Sequence, residues 1–257
     1  MATPKTEPKI YVGIVLDFET GGLDCVKNPC TQIAMKAVRM DTWQVIDSYV
    51  KYFSPYEKQD IGGAPRRKVL KNNHQLELDA FREKMEYEQV ALSYSAITME
   101  MLISTGVDIK EIAQDIIEFA ERCTLSKGKQ TKPVLIGQNI TFDIGFLQQV
   151  INYGRMNKEF ERVFAGTYDF YGNFQPAYID TIHLGRLCFA AEPGITSYKL
   201  ELMAENLGIE LNDAHDAMSD VDATLDIVIV CCSRLRNNTG SSIPLQKQEK
   251  TRAHFKI

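Results

Sequence analysis

The stretch YVGIVLDFETGGLD (residues 11–24) closes an apolar run with two carboxylates on alternate positions, Asp17 and Glu19. Positions two apart in a strand point to the same side, so the two acids project together at the strand's C-terminal end. Ligand sites in α/β sheets favour that edge. Neighbouring carboxylates repel each other and lose hydration, a cost that a hard divalent cation between them offsets. A solvated strand end would carry the same two acids. The spacing alone is not diagnostic, because ELD (77–79) and EYE (86–88) repeat it. What sets this copy apart is the buried strand before it and the TGG turn after it.

Two further pieces could join them. In LIGQNITFDIGFL (135–147) an apolar strand ends at Asn139 and Asp143 opens the next helix. The helix dipole favours an acid there whatever its function. The functional alternative is a third metal ligand, again at a strand's C-terminal edge. In NDAHDAMSDVDAT (212–224) His215 and Asp220 lie five apart, an offset of about 140° on a regular helix. They converge only if His215 lies on the loop entering the helix and Asp220 within it. HQLELD (74–79) has the same spacing but lies in a charged segment that no buried strand precedes. Four acids and a histidine at the ends of buried elements together describe a two-metal phosphoryl-transfer site. Cations in such sites activate the water nucleophile and stabilise the attacking and leaving oxygens. A histidine titrating near neutral pH can take the water's proton.

The elements that must position these residues are legible in outline. Residues 10–17 read as a buried strand. TQIAMKAVRM (31–40) and WQVIDSYVKYF (43–53) read as two more, with a hairpin turn at Asp41–Thr42. Residues 55–93 read as a charged surface insertion with a helix over about 75–91. A helix over 108–123 has Asp108 as its cap and Ile109, Ile112, Ile116 and Phe119 as its apolar stripe. A buried strand at 133–139 and a helix ending at Gly154 follow. After an aromatic loop come YIDTIHLGRLCFA, an amphipathic helix ended at Gly208, and a last strong element in AMSDVDATLDIVIVCCSRL (217–235). Hairpin strands first, then alternating strand and helix, predict an α/β domain over 1–236 with a mixed sheet flanked by helices. A polar tail fills 237–257.

Composition narrows the class. The chain is 44% hydrophobic, with no apolar run near the length of a membrane span and no apolar leader. The six cysteines form no CxxC pair, so reduced thiols and a cytoplasmic location are expected. A net charge of −5 argues against a protein that coats duplex nucleic acid. It leaves room for a small site that takes one strand end with cations supplying positive charge.

LDFETGGL, GQNITFDIGFL and HDAMSDVDAT resemble, in order, the three motifs of the DEDD superfamily of 3′→5′ exonucleases. The histidine five residues before the last acid is similar to the DEDDh branch, and the pattern resembles the proofreading, epsilon-type exonucleases of DNA polymerase III. The resemblance spans residues 11–232. It implies a ribonuclease H-like fold, a mixed five-stranded sheet flanked by helices. It also implies Asp17, Glu19, Asp143 and Asp220 as ligands of two divalent cations, Mg²⁺ or Mn²⁺, and His215 as general base. The turn Thr20–Leu23 would hold the terminal nucleotide, with Phe18, Thr20 and Gly21 beside it and Leu23 wedged near the last base. A core role for Leu23 is the alternative. Asn139, Phe142 and Phe146 lie near the second motif, where the phenylalanines either touch sugar or base or pack the helix. One departure is YSAIT (94–98), where Ser95 replaces the histidine of an IHGIT-like segment.

The implied activity is hydrolysis of single-stranded DNA from its 3′ end, releasing 5′-mononucleotides, in proofreading or repair. DNA is favoured over RNA as partner, no membrane is expected, and a DNA polymerase in trans is a further expected partner. RNA trimming by the same chemistry and a non-catalytic docking module are the alternatives.

Overall fold

The computed structural model describes residues 9–59, 84–192, 194–209, 211 and 216–237. Strands β1 (Val12–Thr20), β2 (Cys30–Arg39) and β3 (Val45–Tyr52) form an antiparallel meander. The chain then enters short helices α1 (Gln89–Tyr94) and α2 (Met99–Thr105) and the longer α3 (Ile109–Cys123). Strand β4 (Val134–Gly137) pairs with β1 in parallel and leads into α4 (Thr141–Gly154) and α5 (Asn157–Val163). Strands β5 (Gly166–Tyr168) and β6 (Phe174–Pro176) make a separate hairpin. Strand β7 (Tyr178–Asp180) returns beside β4, completing the order β3-β2-β1-β4-β7. Helices α6 (Thr181–Cys188), α7 (Leu200–Leu207) and α8 (Ala217–Asn237) follow.

Both faces of this sheet are covered, which is why β1 reads as a continuous apolar run. Ile14, Leu16 and Phe18 face one core with Ile112, Ile116 and Phe119 of α3 and Phe146 and Val150 of α4. Val15 faces the other, with Ala217, Val221, Leu225 and Val228 of α8. The period of α3 and its Asp108 cap appear as the sequence predicts, the Asp108 side chain accepting from Lys110 N–H. Gly208 ends α7 in the left-handed region at φ 73°.

Three boundaries differ from expectation. Strand β1 runs on to Thr20, because its pairing with β2 continues past both acids to a bulge at Glu19/Thr20. Strand β3 begins at Val45, since Trp43 takes φ 62° to close the hairpin. Of the helix expected over 75–91, residues 75–83 lie outside the described residues, and 84–88 are not helical. There the backbone N–H of Glu86 donates to Lys27 O and that of Glu88 to Gly21 O. Those donors serve the turn after β1 instead of a helix of their own. His74, the HQLELD copy and the tail from 238 onward also lie outside the described residues. Among the described residues no helix is long and apolar enough to cross a membrane.

Candidate active site

Alternation along β1 decides where its acids point. Phe18 turns into the α3/α4 core, so Asp17 and Glu19 turn to the α8 face with Val15. The side chain of Gln32, on β2, locates the start of α8: its Nε2 donates to Asp216 Oδ1 at 3.1 Å and its Oε1 accepts Ala217 N–H at 3.4 Å. Asp216 Oδ2 accepts the Ser219 N–H at 3.2 Å, a capping contact. The first turn of α8 therefore lies over the end of β1 and carries Asp220. Carboxylate oxygens of Asp17, Glu19 and Asp220 come within 4.8 Å of one another.

The cost of this arrangement shows in proton affinity. Burial, then the Asp220 and Asp216 carboxylates, push Asp17 from 3.8 up to about 8. Burial, then Asp17, Asp220 and Asp216, push Glu19 from 4.5 up to about 8. Among the described residues neither has a basic ion-pair partner. Hard oxygen donors this close, held apart only by mutual repulsion, suit a divalent cation.

Asp143 enters from the other core, in the first turn of α4. It is buried, and its Oδ1 accepts the Phe18 N–H at 3.0 Å. Burial and then Asp17 raise its proton affinity well above 3.8, while the Phe18 bond opposes them. Asp143 thus flanks the group of three, sensing Asp17 and Glu19 while tied to the β1 backbone. His215 lies outside the described residues, two positions before α8 begins.

A groove of about 400 Å³ opens beside Glu19, lined by Thr20, Leu23, Val90, Tyr94 and Phe142 among others. The turn after β1 forms one wall and is held from several sides. The Thr20 hydroxyl donates to Gly22 O at 2.7 Å, and Gly21 N–H donates to Pro29 O at 2.8 Å. The buried Asn28 side chain donates to Glu86 O and Glu88 Oε1 at 2.9 and 3.1 Å. A Cβ on Gly22 would sit 2.4 Å from the Asn28 side chain, so only glycine fits there. Leu23, at 83% exposure, is no core residue; it stands at the groove.

Burial distinguishes the aromatic residues expected at the substrate. The Phe18 side chain is 5% exposed and packs on Phe53 at 6.3 Å, at the inner wall of the groove. Phe146 is 0% exposed and backs Phe142 at 5.0 Å between centroids. Asn139 is exposed, with φ 52° and its N–H 3.3 Å from Asp180 Oδ1. It makes the left-handed turn from β4 into α4, a conformation asparagine tolerates. This division has a measurable consequence. Phe146→Ala is expected to cost about 3–5 kcal/mol of stability, the usual penalty for emptying a buried ring, read from denaturant midpoints. Phe142→Ala should cost far less stability.

Sequence reasoning missed three contributors. Asp216 was passed over because its neighbours His215 and Asp220 carried the motif, yet its charge reaches Asp17 and Glu19. Val90 on α1 belongs to the 55–93 segment read as surface elaboration and Tyr94 opens the YSAIT segment after it, but both face the groove at 70% and 68% exposure. Their i, i+4 spacing on a helix was the available signal. Ser95 ends α1, its hydroxyl directed at Ala91 O and Leu92 O, and Ala96 follows at φ 53°.

Comparison with known proteins agrees with this geometry. The exonuclease family model (RNase_T) matches residues 91–228. A PolC-type DNA polymerase III of Pediococcus pentosaceus is 24% identical over 211 residues, 82% of this chain and 11% of that protein. The 3′-5′ exonuclease DinG of Staphylococcus epidermidis is 26% identical over 215 residues, 84% of this chain and 17% of that protein. The chain thus spans a small part of each of these relatives. E. coli Exonuclease I in complex with a dA16 oligonucleotide superimposes with a TM-score of 0.60 at 20% identity, over 88% of this chain and 41% of that one. The fold is the ribonuclease H-like exonuclease fold, as the order and mixed pairing of the sheet require. On its sequence match and its architecture, the chain belongs to the exonuclease family.

Proposed function

We propose that this domain is a divalent-cation-dependent 3′→5′ exonuclease that removes nucleoside 5′-monophosphates from single-stranded DNA ends. The observation that carries the reading is the convergence of Asp17, Glu19 and Asp220 within 4.8 Å beside an open, partly apolar groove. Those three and Asp143 would hold two cations, Mg²⁺ or Mn²⁺, and an E. coli Exonuclease I–ssDNA complex is described as a zinc-bound form. When bound, the cations neutralise the scissile phosphodiester and acidify the attacking water.

The chain's own residues do the rest. The Phe18 N–H fixes Asp143 in one orientation against Asp17. His215 takes the proton from the water. Leu23 wedges against the terminal base, with Val90, Tyr94 and Phe142 lining the groove that receives it. The Thr20–Asn28 turn, held by Glu86 and Glu88, keeps the wedge in place. DNA is the preferred strand. The likeness to PolC-type polymerases supports a polymerase partner supplied by another polypeptide or domain, with the polar residues 237–257 as a tether.

A panel of 5′-labelled single-stranded, duplex and mismatched DNA, and matching RNA, tests the reading. Single-stranded DNA should shorten stepwise with Mg²⁺ or Mn²⁺, and EDTA should stop it; EDTA-resistant cleavage would sink the proposal. Binding of a bare strand should be weak, with log K falling less steeply than about −5 against log salt, because few phosphates meet cationic side chains. A steeper slope would mean roughly seven or more phosphate contacts and contradict a small end-binding site.

A further inference from the structure

One face of α4 runs beyond the groove just described. Phe142, Gly145, Gln149 and Asn152 follow one another at helical spacings of three or four, so they form a single stripe. Phe142 lines the groove beside the acids. Gly145, Gln149 and Asn152 line a second groove of about 390 Å³ that also touches Cys25 and Val26 of the turn after β1. Gln148 and Asn152 line both that groove and a third of about 440 Å³. The third is walled by Asn157, Asn173, Phe174 and Gln175 and ends on the β5–β6 hairpin. From Phe142 to Asn152 the stripe covers about 15 Å, room for roughly four stacked nucleotides at about 3.4 Å each.

The hairpin at its far end is built to present aromatic rings. Asp169 organises the turn: its Oδ1 accepts the N–H groups of Tyr171 and Asn173 at 2.9 and 2.8 Å. Its Oδ2 accepts the side chains of Asn173 and Gln175 at 3.1 and 3.3 Å. Phe174 anchors the root on Phe160 of α5 at 5.7 Å, and the Tyr168 hydroxyl donates to Glu161. Beyond this fixed root Phe170 and Tyr171 stand 96% and 84% exposed, edge to face at 5.4 Å. Folding does not use these two rings. A cluster of large exposed apolar groups marks a binding surface.

We propose that the α4 trough and the Phe170–Tyr171 tip form a second binding track for the single strand, upstream of its reacting 3′ end. The inference rests on the exonuclease reading above. Three features favour a strand over a protein partner. The track adjoins the groove at the acids: the turn after β1 gives Gly22 and Leu23 to that groove and Cys25 and Val26 to the second, and α4 gives Phe142 to the one and Gly145 to the other. Gln148, Asn152 and Asn157 give its walls carboxamides, which donate to and accept from bases and backbone alike, while those of Gln149, Asn173 and Gln175 hold the walls together through Cys25, Asn28 and Asp169. Aromatic faces stack on any base without regard to sequence. With Lys58 the one cation among the described residues that line the second groove and Glu161 in the third, the track adds affinity that salt barely screens. Such a track explains how an acidic chain can hold a polyanion.

Fluorescence anisotropy in EDTA, where no strand is consumed, tests it with 5′-labelled oligothymidylates of about three and about twelve nucleotides, within the range of known single-strand sites. The longer strand should bind at least about tenfold tighter, and the gain should persist as salt rises. Phe170→Ala/Tyr171→Ala should erase about tenfold of that gain, since each lost base stack weakens binding by about this factor or more. Abasic positions about five to eight nucleotides from the 3′ end should reproduce the loss on the unaltered protein. Equal affinity for both lengths, or a double variant that keeps the full gain, overturns the track and leaves the tip to a protein partner. Length-dependent binding without hydrolysis in Mg²⁺ or Mn²⁺ would sink the exonuclease reading and keep the track. Hydrolysis without length-dependent binding would do the reverse.

Discussion

Asp17→Asn should lower turnover by at least about 10³-fold while the protein folds normally. The substitution keeps the shape of the side chain and removes a charge from the centre of the acid group. Cation sites contribute several kcal/mol of charge stabilisation, and each 1.4 kcal/mol is about a decade in rate. The same change should stabilise the cation-free protein, because Asp17 is held ionised only against burial and its neighbours Asp220 and Asp216. The sign with pH follows from proton counts. Asp17 and Glu19 rise from 3.8 and 4.5 in their ordinary state to about 8 in the folded chain. Between pH about 4 and 8 the folded state therefore binds more protons than the unfolded one, so stability falls as pH rises through that window. Thermal melts in EDTA should show this decline, Asp17→Asn should flatten it, and Mg²⁺ or Mn²⁺ should reverse it near pH 8. A cation-free protein whose melting temperature rises steadily from pH 5 to 8, with no response to cations, would contradict the electrostatic picture.

His215→Ala should lower the turnover number by about 10²–10⁴-fold, the usual worth of a positioned general base. The four carboxylates remain, so cation binding, read by the stabilisation just described, should survive. The acidic limb of the pH–rate profile, expected near a histidine's ordinary value of about 6.5, should flatten or move. His74→Ala is the control: it shares the five-residue spacing to an acid and should cost less than about threefold, as for a surface change of roughly 0.5 kcal/mol. Helix α8 starts at Ala217 and holds Asp220 in its first turn, the half of the required geometry that the described residues contain. Equal losses in the two mutants, or an unaffected His215→Ala enzyme, would remove His215 from the mechanism.

The site was largely legible because its residues sit at ends of elements whose periods are strong. Asp17 and Glu19 follow from period-two alternation on a buried strand, and Asp143 from a strand that runs into a helix. What one sequence does not carry is which side of a phenylalanine meets the core. Phe142 and Phe146 are one helical turn apart and chemically identical, yet one lines the groove and the other is sealed. The sheet shifts that difference, since α4 packs against β1 by long-range contacts that local pattern does not encode. Residues 84–88 depart from the expected helix for a related reason. Their charge suggests solvent, while their backbone donors serve Lys27 and Gly21, some sixty residues earlier. The aromatic loop was visible as composition, but only the Asp169 turn shows that its rings are presented.

The most direct test of the central claim is a time course on a single strand labelled at its 5′ end, run with unaltered protein and Asp17→Asn side by side. With Mg²⁺ or Mn²⁺ the unaltered protein should give a descending ladder, one nucleotide per step, and a 3′-labelled copy should release mononucleotide from the first time point. Asp17→Asn and the EDTA control should leave the strand intact. Internal fragments without a ladder, or an Asp17→Asn ladder as fast as the unaltered one, would show that the acids at the end of β1 do not hydrolyse strand ends.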